Sequence, residues 1–274
     1  MSAQSGGGDV YYLATGSAGE KRLALVDKVY GPDSTRILGS IGIPRGAHVA
    51  DLGCGTGNSL RWFADHVGDE GEVIGVDVSA EQLAIAKAHA EAGGHRNIRV
   101  VEASIYETGL PRAAFDVVHC RFVLCHLSRP MDAVREMAAL AKPGGLVIAF
   151  DVDLDGLYSV PETNAYVRAV ELFAARNRLR GCDPRLGLLL PRMFLEAGLA
   201  APETAISHPI YLRGEHKRLW EYSLLEAGAY TVQNGICTQA ELERLAAELA
   251  SVAADETIAV AQAAMPVTWA RKPA

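Results

Sequence analysis

An apolar run that breaks into glycines on alternate positions, VADLGCGTGNSL at residues 49–60, limits what this chain can fold into more than any other stretch. Gly53, Gly55 and Gly57 follow a strand-like segment and precede a helix-like one, SLRWFADHVG. Glycine accepts positive φ and carries no side chain, so a strand–turn–helix of this kind lets backbone approach a ligand closely. Asp51 stands just ahead of the turn, a carboxylate beside whatever the turn holds.

The same rhythm continues downstream. EVIGVDV reads as a strand; SAEQLAIAKAHAEAGG reads as a helix with Ser79 at its N-cap and Gly93-Gly94 closing it. NIRVVEA and FDVVHC are further strands, PMDAVREMAALAKPGG a helix, and LVIAFDVD a fifth strand. Strands separated by helices of this length need crossover connections, which means a doubly wound α/β fold with a parallel sheet and helices on both faces. Upstream, residues 16–42 read as a helix, with Leu23, Val26, Val29 and Tyr30 at helical spacing. Beyond Leu154 the rhythm loosens: helices are expected over 162–180 and 184–198, a strand over 205–212, helices over 216–229 and 239–253, and a last strand ending VTWARKP.

Composition narrows the partners. A chain of 274 residues, 49% hydrophobic and 22% charged, is a soluble α/β domain with additions. A net charge of −7 opposes nucleic acid or an anionic membrane as the main partner. The opening MSAQSGGGDV shows no leader, no apolar run reaches membrane-spanning length, and five scattered cysteines fit reduced thiols. The expectation is a cytoplasmic protein, monomer or homodimer, acting on a small molecule.

Spacing discriminates between ligands. A dinucleotide turn wants G-x-G-x-x-G, whereas here the third glycine comes one residue early and Asn58 takes its slot. The pattern is D-x-G-x-G-x-G. A carboxylate opposes a pyrophosphate but suits a cationic, amine-bearing ligand such as S-adenosylmethionine, which has a sulfonium, an ammonium and no phosphate. Asp77, at the end of the second strand and twenty residues after Gly57, is placed to accept hydrogen bonds from ribose hydroxyls. An NAD(P)-dependent oxidoreductase would have no use for Asp51, and a non-catalytic binding protein on this fold would be expected to have a damaged glycine turn.

Taken together, DLGCGTG, GVDVSAEQLAIAK, FDVVHCRFVLCHL and LAKPGGLVIAFD resemble the class I S-adenosylmethionine-dependent methyltransferases, and among them the small-molecule group that includes the ubiquinone/menaquinone-biosynthesis enzymes. The likeness is strong over residues 49–151 and weak in the terminal WARKP. It implies a Rossmann-like seven-stranded sheet, mostly parallel with an antiparallel last strand, and a methyltransferase domain over 46–274. An N-terminal segment and helical cap over 1–45 would precede that domain, and insertions near 155–200 and 213–256 would cover the substrate. It also implies that Asp51, Gly53, Gly55 and Gly57 cradle the methionine part of the cofactor, that Asp77 holds the ribose, and that Val78 and Gln82 flank the adenine. Ala103, Ser104 and Ile105 follow the third strand, with Ser104 where the family usually has an aspartate. Tyr11, Asn58 and Arg121 complete the candidate cofactor contacts. The activity implied is methyl transfer to an oxygen, nitrogen or carbon of a small acceptor, in the manner of secondary metabolism.

Such chemistry needs no nucleophilic side chain and no metal, only alignment, exclusion of water and, for a high-pKa acceptor, a base. His126, after the fourth strand in CRFVLCHLS, is the candidate base, with packing or helix capping as the alternative. In the similar phosphobase methyltransferases a histidine here pairs with an N-terminal tyrosine, which makes Tyr12 a second catalytic candidate; Phe122, where those enzymes have an aspartate, speaks against a phosphobase acceptor. Asp151 or Asp153, leaving the fifth strand, would orient an amine or hydroxyl; Asp153 is the third candidate. DVDLDGLYSVPE fits a calcium-loop formula, but the segment before it is strand-like and Pro161 interrupts it. His119, Cys120, Cys125 and His126 lack zinc-site spacing, so no metal is expected. Trp220, Tyr222, Leu224 and Leu225 lie on one helix, either as core or as a lid over an apolar acceptor.

Overall fold

The computed structural model describes residues 16–274; Tyr11 and Tyr12 lie outside the described residues. In chain order the elements are α1 (Gly16–Ile41), β1 (His48–Leu52), α2 (Asn58–Val67), β2 (Glu72–Asp77), α3 (Ala80–Ala92), β3 (Ile98–Glu102) and β4 (Phe115–Arg121). Then come α4 (Pro130–Leu140), β5 (Ala141–Phe150), β6 (Tyr158–Val160), α5 (Asn164–Leu179), α6 (Leu186–Glu196), β7 (Ala200–Ser207) and β8 (Ile210–Tyr211). The chain closes with α7 (Leu219–Glu226), α8 (Gly228–Gln233), α9 (Gln239–Ala254), β9 (Ala259–Ala261) and β10 (Met265–Arg271). Seven strands form one sheet in the order β3-β2-β1-β4-β5-β10-β7. β1 to β5 pair in parallel and β10 runs antiparallel between β5 and β7, as expected from the sequence.

Alternation along the strands builds two cores. Val49, Val73, Val117 and Ile148 face a layer made with Leu25 and Val29 of α1 and Phe63 of α2. Their neighbours Ala50, Ile74, Val118 and Val147 face the other layer, with Met137 of α4, Phe173 of α5 and Phe194 of α6. A strand sends successive side chains to opposite faces, so a sheet buried on both faces reads as a nearly continuous apolar run. Local signals hold where they were legible: the Ser79 hydroxyl accepts from the Gln82 N–H at 3.3 Å and caps α3.

The second half departs from expectation in three places. The strand expected over 205–212 begins at Ala200 and stops at Ser207; Pro209, which has no N–H, separates it from β8. β7 is an edge strand with Pro202 inside it and mostly exposed side chains, so it lacks the apolar alternation that marks a strand. The helix expected over 216–229 is a 3-10 turn followed by α7 and α8, broken at Ala227. Finally, β6, β9 and β8 form a small antiparallel sheet over segments too short to carry a periodic signal. Among the described residues no helix is long and apolar enough to cross a membrane.

Candidate active site

The strand order reverses at β1: the chain runs out through β2 and β3, then returns to place β4 on β1's other side. In a doubly wound sheet that reversal opens a crevice at the carboxyl ends of the strands. A cavity of about 500 Å³ lies there, walled by the glycine turn, the ends of β2 and β4, and the helices α1, α5 and α7.

The three glycines do different work. Gly55 lines the cavity at φ +54°, and a β-carbon built there would meet no atom of the described residues within 4 Å, so they leave the space in front of it open for a ligand. Gly57 is not on the cavity wall; a β-carbon on it would meet the Ala86 methyl at 3.0 Å, so its bareness lets α2 close on α3. Its expected place in the cradle is thereby corrected to helix packing. Gly53 lies against Val123 and also lines the cavity.

Two carboxylates face this end. β1 and β4 pair so that Asp51 stands opposite His119, on the same face. The His119 Nδ1–H donates to Asp51 Oδ1 at 2.7 Å, and both side chains are buried. The ring is clamped edge-on between Phe63 and Phe150. Asp51 Oδ2 is buried and has no hydrogen-bond partner among the described residues, while the residue lines the cavity. Asp77 accepts from the Gly55 N–H at 2.9 Å through Oδ2 and from the Ser79 N–H at 3.0 Å through Oδ1, so it clasps the glycine turn. Burial raises its carboxyl above the ordinary range, and the two N–H donors oppose that shift. Gln82 is buried on the wall with Oε1 unpartnered among the described residues, and Val78 is exposed beside it. Ala103, Ser104 and Ile105 line the same end, the Ser104 hydroxyl accepting from the Tyr106 N–H at 3.3 Å. A buried acceptor without a donor is costly in a finished site, so Asp51 Oδ2 and Gln82 Oε1 fit an amine-bearing ligand. Asn58 is on the wall with its carbonyl engaged by Arg61. Arg121 also lines it, its guanidinium held by Asp27 at 2.9 Å, which ties the end of β4 to α1.

The opposite end is aromatic and cationic. Phe122 adopts φ +57°, a left-handed conformation that costs a residue with a β-carbon about 1–2 kcal/mol and turns the chain sharply out of β4. The turn that follows places His126 on the wall, facing Phe173, Arg176 and Asn177 of α5 and Trp220 of α7. Burial, then the guanidinium groups of Arg180, Arg22 and Arg176, push the His126 imidazole down to about 3. Asp151 holds this turn from behind, accepting from the Cys125 N–H at 3.1 Å, and its own burial pushes it up to about 6. Neither Asp151 nor Asp153 lines the cavity, which corrects the expectation that one of them orients the acceptor. Asp153 accepts from the Asp155 N–H and pairs through its backbone with Ala264. Of the four residues on the α7 stripe, Trp220 alone lines the cavity; Leu224 is core, Tyr222 lies under Lys21 and Arg218, and Leu225 is exposed.

Several wall residues escaped the sequence reading. Arg176 falls on the buried stripe of α5 with Ala165, Ala169, Leu172 and Phe173, and a charge on an apolar stripe is a readable signal. Arg22 of α1 is the same kind of case. His119 in the middle of FDVVHC becomes legible as a partner once β4 is set beside β1.

Residues 49–145 match the family model described as a methyltransferase domain. The matched stretch takes in the glycine turn and the strands β2 to β4. The chain is 30% identical over 154 residues to the demethylmenaquinone methyltransferase of Bacillus licheniformis, covering 56% of this chain and 61% of that one. The chain spans about half to three-fifths of the length of the curated relatives it matches, 47% and 61%. A candidate methyltransferase from Bacillus halodurans is similar in structure, with a TM-score of 0.61, 20% identity, and coverage of 88% of this chain and 100% of that one. The [4+2]-cyclase SpnF is similar at a TM-score of 0.56 and 19% identity, covering 95% and 97%. At such identities the likeness is one of fold. A cyclase on the same fold as the methyltransferase domain shows that chemistry must be read from the site.

Proposed function

We propose that the chain moves a methyl group from S-adenosylmethionine to a small-molecule acceptor. The cofactor would lie over β1 and β2, and the acceptor between α5, α7 and the turn after β4. What supports this reading is one cavity with two chemically different ends, buried carboxylate and amide acceptors at the first and an aromatic, cationic wall at the second. Bound there, the cofactor supplies a methyl group already activated on its sulfonium. Asp51, held by His119, accepts from the cofactor's ammonium through Oδ2. Asp77 has lone pairs left for ribose hydroxyls beyond those given to Gly55 and Ser79. Gln82 Oε1 accepts from the adenine amine, with Val78 against the ring. Gly55 leaves the approach open, and the helices above exclude water.

The acceptor end works by alignment. His126 stays neutral at physiological pH because an imidazolium there would be buried among guanidinium groups, so it serves as a hydrogen-bond partner rather than as a strong base. Transfer then suits an acceptor oxygen that is already ionised, an uncharged amine or an activated carbon. The test is turnover with methyl-labelled S-adenosylmethionine and the small-molecule fraction of a cell extract. Label should appear in a low-mass product, matched by S-adenosylhomocysteine, and the rate should show no step from His126 titration between about pH 5 and 8. Absence of label transfer across the fraction would contradict the proposal, and a rate that climbs through a pKa lost in His126→Gln would restore the base role.

A further inference from the structure

Gln262 is the one polar residue in the run AVAQAAMPV, residues 259–267, and it is fully buried between β9 and β10. A buried amide is costly unless its groups are bonded, so packing alone would favour another apolar residue there. Its carbonyl Oε1 accepts from the Trp220 indole N–H at 3.0 Å, and its Nε2 donates to the His216 carbonyl at 3.2 Å. One amide thus grips α7 and also the 3-10 turn Glu215–Arg218 ahead of it. Its backbone N–H donates to the Pro209 carbonyl at 2.9 Å, which fixes the segment that carries the amide. The next residue holds a second ring: the Tyr30 hydroxyl donates to the Ala263 carbonyl at 2.9 Å. Trp220 and Tyr30 both line the cavity, from α7 and α1, whereas Gln262 and Ala263 are not on its wall.

Indole carries one polar hydrogen, and with that hydrogen given to Gln262 the Trp220 ring offers a ligand its carbon face. The Phe173 ring lies 5.2 Å from it at 54°, so a second aromatic side chain supports the first. The bond to Gln262 also restricts a side chain with two free torsions, which lowers the ordering cost when a ligand packs on it. A flat face fixed beforehand favours a flat ligand group over a puckered one of similar size. We infer that Gln262 is a positioning residue for the acceptor, holding Trp220 as a flat carbon wall on which an unsaturated ring of the acceptor lies. This rests on the proposed methyl transfer and names what sets the acceptor face of that site.

The test uses a matched pair, 2-naphthol and decahydro-2-naphthol, which share skeleton and hydroxyl and differ in being flat or puckered. Both are titrated by calorimetry into the full chain saturated with S-adenosylhomocysteine. The flat alcohol should bind about threefold to tenfold more tightly. Gln262→Met should remove most of that preference and leave S-adenosylhomocysteine affinity unchanged. Gln262→Glu should keep most of it, because a buried glutamic acid held neutral still offers an oxygen to the indole and a hydroxyl to His216. The double variant with Trp220→Phe should bind 2-naphthol no worse than Trp220→Phe alone. A spectroscopic readout comes from the indole N–H signals of the nitrogen-15-labelled chain, one each from Trp62, Trp220 and Trp269. The Trp220 signal, identified by its loss in Trp220→Phe, should shift on adding 2-naphthol, and in Gln262→Met it should move and exchange faster with solvent. Equal binding of the two alcohols, or binding of neither, would overturn the inference. So would full additivity in the double variant, or a Trp220 signal unmoved by Gln262→Met, since Gln262 would then act in packing only. If Gln262→Met does not fold, a preference undiminished in Trp220→Phe overturns the inference by itself. A wild-type chain that fails to bind S-adenosylhomocysteine would instead contradict the methyl-transfer reading.

Discussion

Gly55→Val is expected to abolish S-adenosylhomocysteine binding, with a loss of at least about a hundredfold, while the protein stays folded. Two costs combine. Gly55 sits at φ +54°, where a β-branched residue is strained by about 1–3 kcal/mol, and relief of that strain moves the turn. The branch would also project into the open space in front of the turn, where no atom of the described residues lies within 4 Å of the added carbon. The same openness means that the protein itself does not clash, so the melting temperature should fall modestly and the defect should be one of binding. Gly55→Ala should be intermediate. Parent-like affinity in the valine variant would show that the turn does not floor the cofactor site.

Asp51→Ala should be nearly as damaging, by a different route. It removes the carboxylate whose free oxygen lies at the cavity and leaves the buried His119 Nδ1–H without its acceptor at 2.7 Å. Loss of a charge-assisted hydrogen bond to the ligand costs about 1.5–3 kcal/mol in affinity, and the stranded donor costs about 1–3 kcal/mol in stability. His119→Phe separates these effects. A phenyl ring fills the slot between Phe63 and Phe150, keeps the cavity wall, and removes only the grip on Asp51. Affinity should then drop by less than in Asp51→Ala, and the double variant should be little worse for binding than Asp51→Ala alone. Full additivity would mean that His119 acts in packing and does not position the carboxylate.

The legible half of the molecule is the half in which local and global signals agree. Alternating apolar strands, the Ser79 cap and the acid–glycine turn all mark the β1-to-β5 sheet, and each depends on residues close in sequence. What stayed hidden depends on pairing across the sheet. Asp51 meets His119 only because β1 lies beside β4, a neighbour 68 residues away along the chain. Gly57 belongs to the same glycine motif as Gly55, yet one faces Ala86 of another helix and the other faces open space. His126 is readable as a residue on the rim but not in its protonation, because that is set first by burial and then by Arg180, Arg22 and Arg176, which reach it from just after α5, from α1 and from α5. β7 was misplaced because an edge strand containing Pro202 has little need of apolar alternation.

The ligand that occupies the glycine turn decides the chemistry of this chain. Calorimetric titration of the purified full chain with S-adenosylhomocysteine and, separately, with NAD⁺ under identical conditions tests it most directly. The predicted result is saturable one-to-one binding of S-adenosylhomocysteine with a micromolar dissociation constant, about −8 kcal/mol, and no measurable heat from NAD⁺. Tight binding of NAD⁺ with none of S-adenosylhomocysteine would contradict it.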